Sequence, residues 1–126
     1  MPARLLLVDD SELIRQSLLR LLRQIFGELA VDSASTLAEA MQSAQRALPS
    51  LAILDLHLPD GDGVDILKSL IAMNPAIPVA ILTNDTTCVN RKRCLAAGAR
   101  WFFDKSTEFK ELLDVVREIA RCENQQ

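Results

Sequence analysis

No stretch of this chain is apolar for long enough to cross a bilayer, since none approaches the roughly 18 residues that a membrane helix needs. The N-terminal stretch does not read as a secretory h-region, because Asp9 and Asp10 interrupt it after a few residues. Cysteine is scarce: Cys88, Cys94 and Cys122 lack the spacing of a metal or redox motif and read as reduced thiols of a cytosolic protein. There is one histidine, His57, and no tyrosine. The formal charge of −3 argues against direct nucleic-acid binding as the main task of the chain. With 126 residues there is room for one domain (1–126) with a two-sided core, and no composition shift marks a linker.

What is present alternates regularly. Apolar strand-like runs lie near 4–9, 29–34, 51–55, 78–83 and 100–104, separated by amphipathic stretches near 11–26, 36–47, 63–74, 85–97 and 107–122. Ile14, Leu18, Leu21, Leu22 and Ile25 repeat at helical spacing in the first stretch, as do Leu112, Leu113, Val116 and Ile119 in the last. Thr36 and Glu39 form a capping-box pair, Asp62 is placed to cap the third helix, and Gly98 to stop the fourth. Short runs apolar at consecutive positions suit strands covered on both faces. With right-handed crossovers this predicts an α/β fold, a doubly wound five-stranded parallel sheet.

In that arrangement the polar residues closing the strands share one edge. Asp9 and Asp10 close the first run, Asp55 the third and Thr83 the fourth, while Lys105 follows the fifth. Ligands of open parallel sheets bind at this carboxyl edge. Carboxylates converging there repel one another unless a cation neutralises them, and a hard divalent ion with oxygen ligands suits them.

The segments Val8-Asp9-Asp10-Ser11, Asp55-Leu56-His57-Leu58-Pro59 with Gly63, Ile81-Leu82-Thr83 and Gly98 through Lys105 resemble, in order and from end to end, the receiver domain of a bacterial two-component response regulator. The resemblance implies a (βα)5 flavodoxin-like fold with strand order 2-1-3-4-5. It further implies that Asp55 is the phosphoacceptor and that Mg²⁺ is held by Asp9, Asp10, Asp55 and the His57 backbone carbonyl. Thr83, Phe102 and Lys105 would bind the phosphoryl group or switch in response to it. His57, Asn84 and Asp85 are candidate modulators. The implied donor is a sensor histidine kinase or a histidine phosphotransfer protein. Activation would turn Thr83 toward the phosphoryl group and let Phe102 rotate inward, changing the face of the fourth helix, fifth strand and fifth helix. That face would bind a downstream protein or a second copy. The implied protein is a cytoplasmic phosphoacceptor with self-catalysed phosphotransfer and autodephosphorylation only, with no direct nucleic-acid or membrane partner.

Three departures from the family pattern bear on this. Asn84 stands where receivers commonly have a small residue, and Ser106 where a cis-proline usually follows the lysine. A cis bond before serine costs about 2.5–4 kcal/mol, so the bond is expected trans and Ser106 becomes a candidate cap of the last helix. Phe102 brings no phenolic hydroxyl to the switch. Other classes fit less well. A flavodoxin needs a hydroxyl- and glycine-rich loop after its first strand, where Asp9-Asp10 would repel phosphate. A haloacid-dehalogenase-type phosphatase has a second acid where His57 stands. Two alternatives remain: the receiver portion of a longer DNA-binding regulator, and a degenerate receiver that acts without phosphorylation.

Overall fold

The computed structural model describes residues 4–27 and 30–124. The strands are β1 (Arg4–Val8), β2 (Ala30–Ala34), β3 (Leu51–Leu54), β4 (Val79–Thr83) and β5 (Trp101–Asp104). Between and after them run α1 (Glu12–Phe26), α2 (Leu37–Arg46), α3 (Gly63–Met73), α4 (Cys88–Ala96) and α5 (Phe109–Asn124). All pairings in the main sheet are parallel, in the order β2-β1-β3-β4-β5, as expected. Leu29, the expected start of the second strand, lies outside the described residues.

Strand side chains alternate between two cores. Leu6, Val8, Ala52, Leu54, Val79, Ile81 and Phe102 pack with α2, α3 and α4 residues such as Ala40, Leu67 and Cys94. Leu5, Leu7, Ile53, Ala80, Leu82 and Phe103 pack with Leu18 and Leu22 of α1 and Leu112 and Val116 of α5. Burial on both faces is why these runs are apolar at consecutive positions. It also fixes register, because a one-residue slip would exchange the two cores.

The helix starts follow capping chemistry, with two corrections to the sequence reading. Glu39 N–H donates to the Thr36 hydroxyl at 3.1 Å, and Val64 N–H to Asp62 at 2.9 Å, both as expected. The fourth helix begins at Cys88, not near 85, since Thr87 caps it by accepting from Asn90 N–H at 3.3 Å. The fifth begins at Phe109, and Ser106 does not cap it. Instead Ser106 donates both its N–H, at 2.8 Å, and its hydroxyl, at 2.7 Å, to Asp104 Oδ1, a local turn that holds it short of the helix. No cis peptide occurs among the described residues, so the bond after Lys105 is trans as expected. Gly98 ends α4 with a φ of +113°, and a Cβ there would lie 2.9 Å from Ile71 Cγ1.

One element was not expected. His57–Leu58 and Gly61–Asp62 pair antiparallel as a small hairpin between β3 and α3. Gly63 at its base lacks room for any side chain: a Cβ would stand 2.0 Å from the Asp55 carbonyl oxygen.

Candidate functional site

Register alone places the acids side by side. Val8 pairs with Leu54, so the next residues, Asp9 and Asp55, leave the sheet together. Asp55 N–H donates to the Val8 carbonyl at 2.9 Å, and Asp9 N–H to the Ala34 carbonyl at 3.1 Å. One strand further, Lys105 N–H donates to the Thr83 carbonyl at 2.8 Å and anchors the start of the lysine loop. Backbone hydrogen bonds of the sheet therefore position every one of these residues.

The side chains then converge. One oxygen from each of Asp9, Asp10 and Asp55 lies within 4.8 Å of the other two, with Asp10 exposed and the others buried. The Lys105 ammonium donates to Asp55 Oδ2 at 2.8 Å and pairs with Asp9 Oδ2 at 2.7 Å. Leu56 N–H holds Asp55 Oδ1 at 2.7 Å, and Ser11 N–H holds Asp9 Oδ1 at 2.9 Å. Arg15 of α1 donates to the Asp9 carbonyl, steadying the same turn from outside.

Electrostatics follow from this geometry. Burial raises the Asp9 carboxyl above its usual value, with the Asp55 charge adding to it and the bonds from Lys105 and Ser11 opposing it. Burial works to lower the Lys105 ammonium, but its bonds to Asp55 and Asp9 outweigh that and leave it above the usual lysine value. Three carboxylates and one ammonium leave the cluster with excess negative charge.

That donor set fits Mg²⁺. Around an octahedral ion at about 2.1 Å, neighbouring oxygens stand ~3 Å apart and opposite ones ~4.2 Å, close to the spread of the acids. All donors are hard oxygens, one of them open to solvent, which suits an ion that keeps some of its water. A groove of about 440 Å³ between α3 and α4, lined by Asp62, Lys68 and Arg93 among others, includes none of Asp9, Asp10 and Asp55.

The remaining candidates follow the ends of β3 and β4, neighbouring strands at the same edge of the sheet. Thr83 is buried, with its hydroxyl accepting from Asp85 N–H at 3.1 Å. His57 Nε2 meets Asp85 Oδ2 at 2.7 Å, which holds the Asp85 carboxyl below its usual value and joins the hairpin to the loop before α4. Asn84 is exposed beside them.

Phe102 stands inward: it is 4% exposed and sits in the core with Ile81 and Cys94. Arg91 of α4 covers its ring, with the guanidinium carbon 4.9 Å from the centroid. Arg93 pairs with Asp62, so of the consecutive basic residues Arg91, Lys92 and Arg93 the first and last have partners. Cys88 and Cys94 are free thiols, as expected, while the side chain of Cys122 lies outside the described residues.

Sequence reasoning missed Asp60. Its carboxylate accepts from Leu37 N–H at 2.7 Å and Ala38 N–H at 3.1 Å across to α2. The only signal for it was an acid at a turn tip, which does not reveal a partner 23 residues away.

Comparison with known proteins agrees with this geometry. Residues 5–117 match the family model described as the response regulator receiver domain. The DNA-binding transcriptional activator DevR/DosR of Mycobacterium tuberculosis is 33% identical over 117 residues, 93% of this chain and 54% of that one. A putative transcriptional regulator of Pseudomonas aeruginosa is 37% identical over 111 residues, 88% of this chain and 53% of that one. The crystal structure of a CheY-like response regulator receiver domain protein from Methanospirillum hungatei superposes with a TM-score of 0.86 at 26% identity, covering 99% of this chain and 98% of that one. The chain spans about half the length of these curated relatives. No helix among the described residues is long and apolar enough to cross a membrane. The family match, the strand order and the acids at the carboxyl edge agree, and the chain belongs to the response regulator receiver domain family of bacterial two-component systems.

Proposed function

We propose that residues 1–126 act as one cytoplasmic receiver unit that accepts a phosphoryl group on Asp55 from a histidine of a sensor kinase or a histidine phosphotransfer protein. The observation that carries this reading is the Lys105 ammonium held between Asp9 and Asp55 at 2.7 and 2.8 Å, beside an exposed third acid. Such a cluster is costly to assemble for structure alone, and it has the parts that phosphoryl transfer needs: an oxygen nucleophile, a mobile cation and a metal-binding set.

Asp9, Asp10, Asp55 and the His57 carbonyl would hold Mg²⁺, which when bound neutralises charge on the phosphoryl oxygens. The chain's own residues do the rest. Leu56 N–H fixes the rotation of the Asp55 carboxylate by holding Oδ1. As a bond forms from Asp55 oxygen to phosphorus, the bond from phosphorus to the partner's imidazole nitrogen breaks, and that nitrogen keeps the electron pair. Lys105 moves its ammonium from the carboxylates to the new phosphoryl oxygens. The Thr83 hydroxyl, which now only accepts a hydrogen bond, has a proton to donate to them. His57 and Asp85 join across the mouth and restrain the water that hydrolyses the acyl phosphate.

The response leaves through the face of α4, β5 and α5, where a downstream protein or a second copy docks. Because Phe102 is already buried under Arg91, the signal passes through the position of α4 instead of through rotation of the ring. One observation favours the reading that this receiver belongs to a longer DNA-binding regulator: the chain covers 54% of a relative named as a DNA-binding activator. Treatment with acetyl phosphate and Mg²⁺, read by intact mass, tests the reading. The parent is expected to gain one phosphoryl group and Asp55→Asn none. Equal labelling of both would place the acceptor elsewhere.

A further inference from the structure

Besides the His57–Asp85 and Asp62–Arg93 pairs toward α4, the hairpin after β3 is held at its base, on its outgoing leg and at its tip. At its base, Gly63 N–H donates to the Leu56 carbonyl at 2.7 Å, with no space for a Cβ against Asp55. On its outgoing leg, Asp62 accepts from Val64 N–H at 2.9 Å and closes the first turn of α3. At its tip, Asp60 reaches a helix of a different βα unit and takes the N–H groups of Leu37 and Ala38 at 2.7 and 3.1 Å. Gly61 beside it lies flush on that helix, since a Cβ there would stand 2.6 Å from Leu37 Cδ2.

Those two N–H groups open α2 and have no partner within the helix. Thr36, the local cap, serves Glu39 N–H instead, so Asp60 completes what the local cap leaves open. The same junction is fastened to the acids from its other side. Ala34, two residues before Thr36, accepts from Asp9 N–H at 3.1 Å. The start of α2 therefore ties the hairpin that carries His57 to the strand end that carries Asp9. Within the hairpin His57 pairs with Asp62 and Leu58 with Gly61, so a displaced tip is felt at the His57 peptide.

We propose that Asp60 is a positioning residue for the divalent-cation site: by pinning the hairpin tip to the start of α2 it fixes the His57 carbonyl relative to Asp9 and Asp10, and so sets the affinity for Mg²⁺. Asp60 itself does not touch the ion. This inference rests on the proposed function, in which the His57 carbonyl is a ligand. The competing account is an ordinary helix cap that supports α2 and nothing more.

Calorimetric Mg²⁺ titration of the parent, Asp60→Ala, Asp60→Asn, Thr36→Ala and Asp10→Ala separates the two, with thermal melts to confirm that each variant is folded at the titration temperature. Thr36→Ala removes a cap from the same helix and leaves the hairpin tie intact. It is expected to lower the Tm about as much as Asp60→Ala while leaving Mg²⁺ affinity unchanged. Asp60→Ala is expected to weaken Mg²⁺ about fivefold, the equivalent of one lost cap. Asp60→Asn keeps one acceptor and is expected to fall between Asp60→Ala and the parent, and it carries the comparison if Asp60→Ala does not fold. Unchanged affinity in the Asp60 variants, or equal weakening in Thr36→Ala, reduces Asp60 to a cap of α2 and overturns the proposal alone. A parent without Mg²⁺ binding, or an Asp10→Ala variant that binds as tightly as the parent, overturns the metal assignment and this inference with it.

Discussion

Replacing Lys105 with methionine keeps most of the aliphatic stem and removes one charge, which isolates what that charge does. The ammonium serves Asp9 and Asp55 at once, and all three side chains are at most 10% exposed. Asp9 is held above its usual value of 3.8, so its ionisation opposes folding. The stability it contributes is present below 3.8 and lost as pH rises through its folded value. Lys105 is held above its usual 10.5, so its contribution is full at neutral pH and lost only as pH rises through its own folded value. At neutral pH the lysine therefore keeps a strained acid pair tolerable.

Without it, carboxylates within 4.8 Å of one another face each other. At an effective dielectric of about 20 that repulsion is about 3 kcal/mol per pair, within the range found when one partner of a buried ion pair is removed. For a chain of this size such a loss lowers the Tm by about 10 °C. Three outcomes are expected from thermal melts and calorimetric Mg²⁺ titration of Lys105→Met. The Tm falls in metal-free buffer, most of the loss returns at saturating Mg²⁺, and Mg²⁺ binds more tightly than to the parent because no ammonium competes for the two oxygens. Mild acidification also restores the variant more than the parent, since protonating Asp9 relieves the repulsion. A Tm loss indifferent to Mg²⁺ and pH, or weakened Mg²⁺ binding, would refute the reasoning and assign Lys105 a packing role.

Gly63→Ala puts a Cβ against the Asp55 carbonyl, where no rotamer relieves the clash, and is expected to cost about 3 kcal/mol or more in urea denaturation; a loss under about 1 kcal/mol would show that the hairpin base yields. Glu39, Asp60 and Asp104 are held below their usual values by hydrogen bonds from Ser35, from the N–H groups of Leu37 and Ala38, and from Ser106 respectively. Their contribution is present above pH 3.8–4.5 and lost as pH falls through the folded values, so Tm is expected to fall below about pH 4, less so in Asp104→Asn. Arg91→Ala removes the cation over Phe102, worth about 0.5–1 kcal/mol, and is expected to speed hydrogen exchange in α4 while leaving Mg²⁺ affinity as it was. Unchanged exchange there would mean that the ring, not the guanidinium, holds that helix.

Much of the site was legible because it depends on short-range rules. Strand ends follow from where an apolar run stops, and a parallel sheet gathers those ends on one edge without further information. Thus Asp9, Asp55 and Lys105 meet as the sequence reading expected, and Thr36, Asp62 and Gly98 behave as their local chemistry dictates. What escaped depends on distance. Asp60 carries no local signal, because its partners, Leu37 and Ala38, precede it by 23 and 22 residues. Ser106 looked like a cap because a serine before a helix often is one. The nearer Asp104 carboxylate captured both its N–H and its hydroxyl, and the helix started later.

Phe102 shows the same limit with a larger consequence. Its position in the strand fixed which core it faces, but not whether the ring stands in or out, which depends on what α4 offers. That helix offers Cys94, its one buried residue, and the Arg91 guanidinium laid over the ring. A helix with a single buried side chain is lightly anchored, and its other ties reach toward the acidic site: Arg93 to Asp62 of the hairpin, and, in the loop just before α4, Asp85 to His57. Exposed pairs of this kind are worth at most about 1 kcal/mol each, so small shifts at the hairpin suffice to exchange them. On the proposed function, with the ring seated inward, a change in charge at Asp55 would reach α4 through the hairpin and the Thr83–Asp85 loop, whose contacts are the His57–Asp85, Thr83–Asp85 and Arg93–Asp62 bonds.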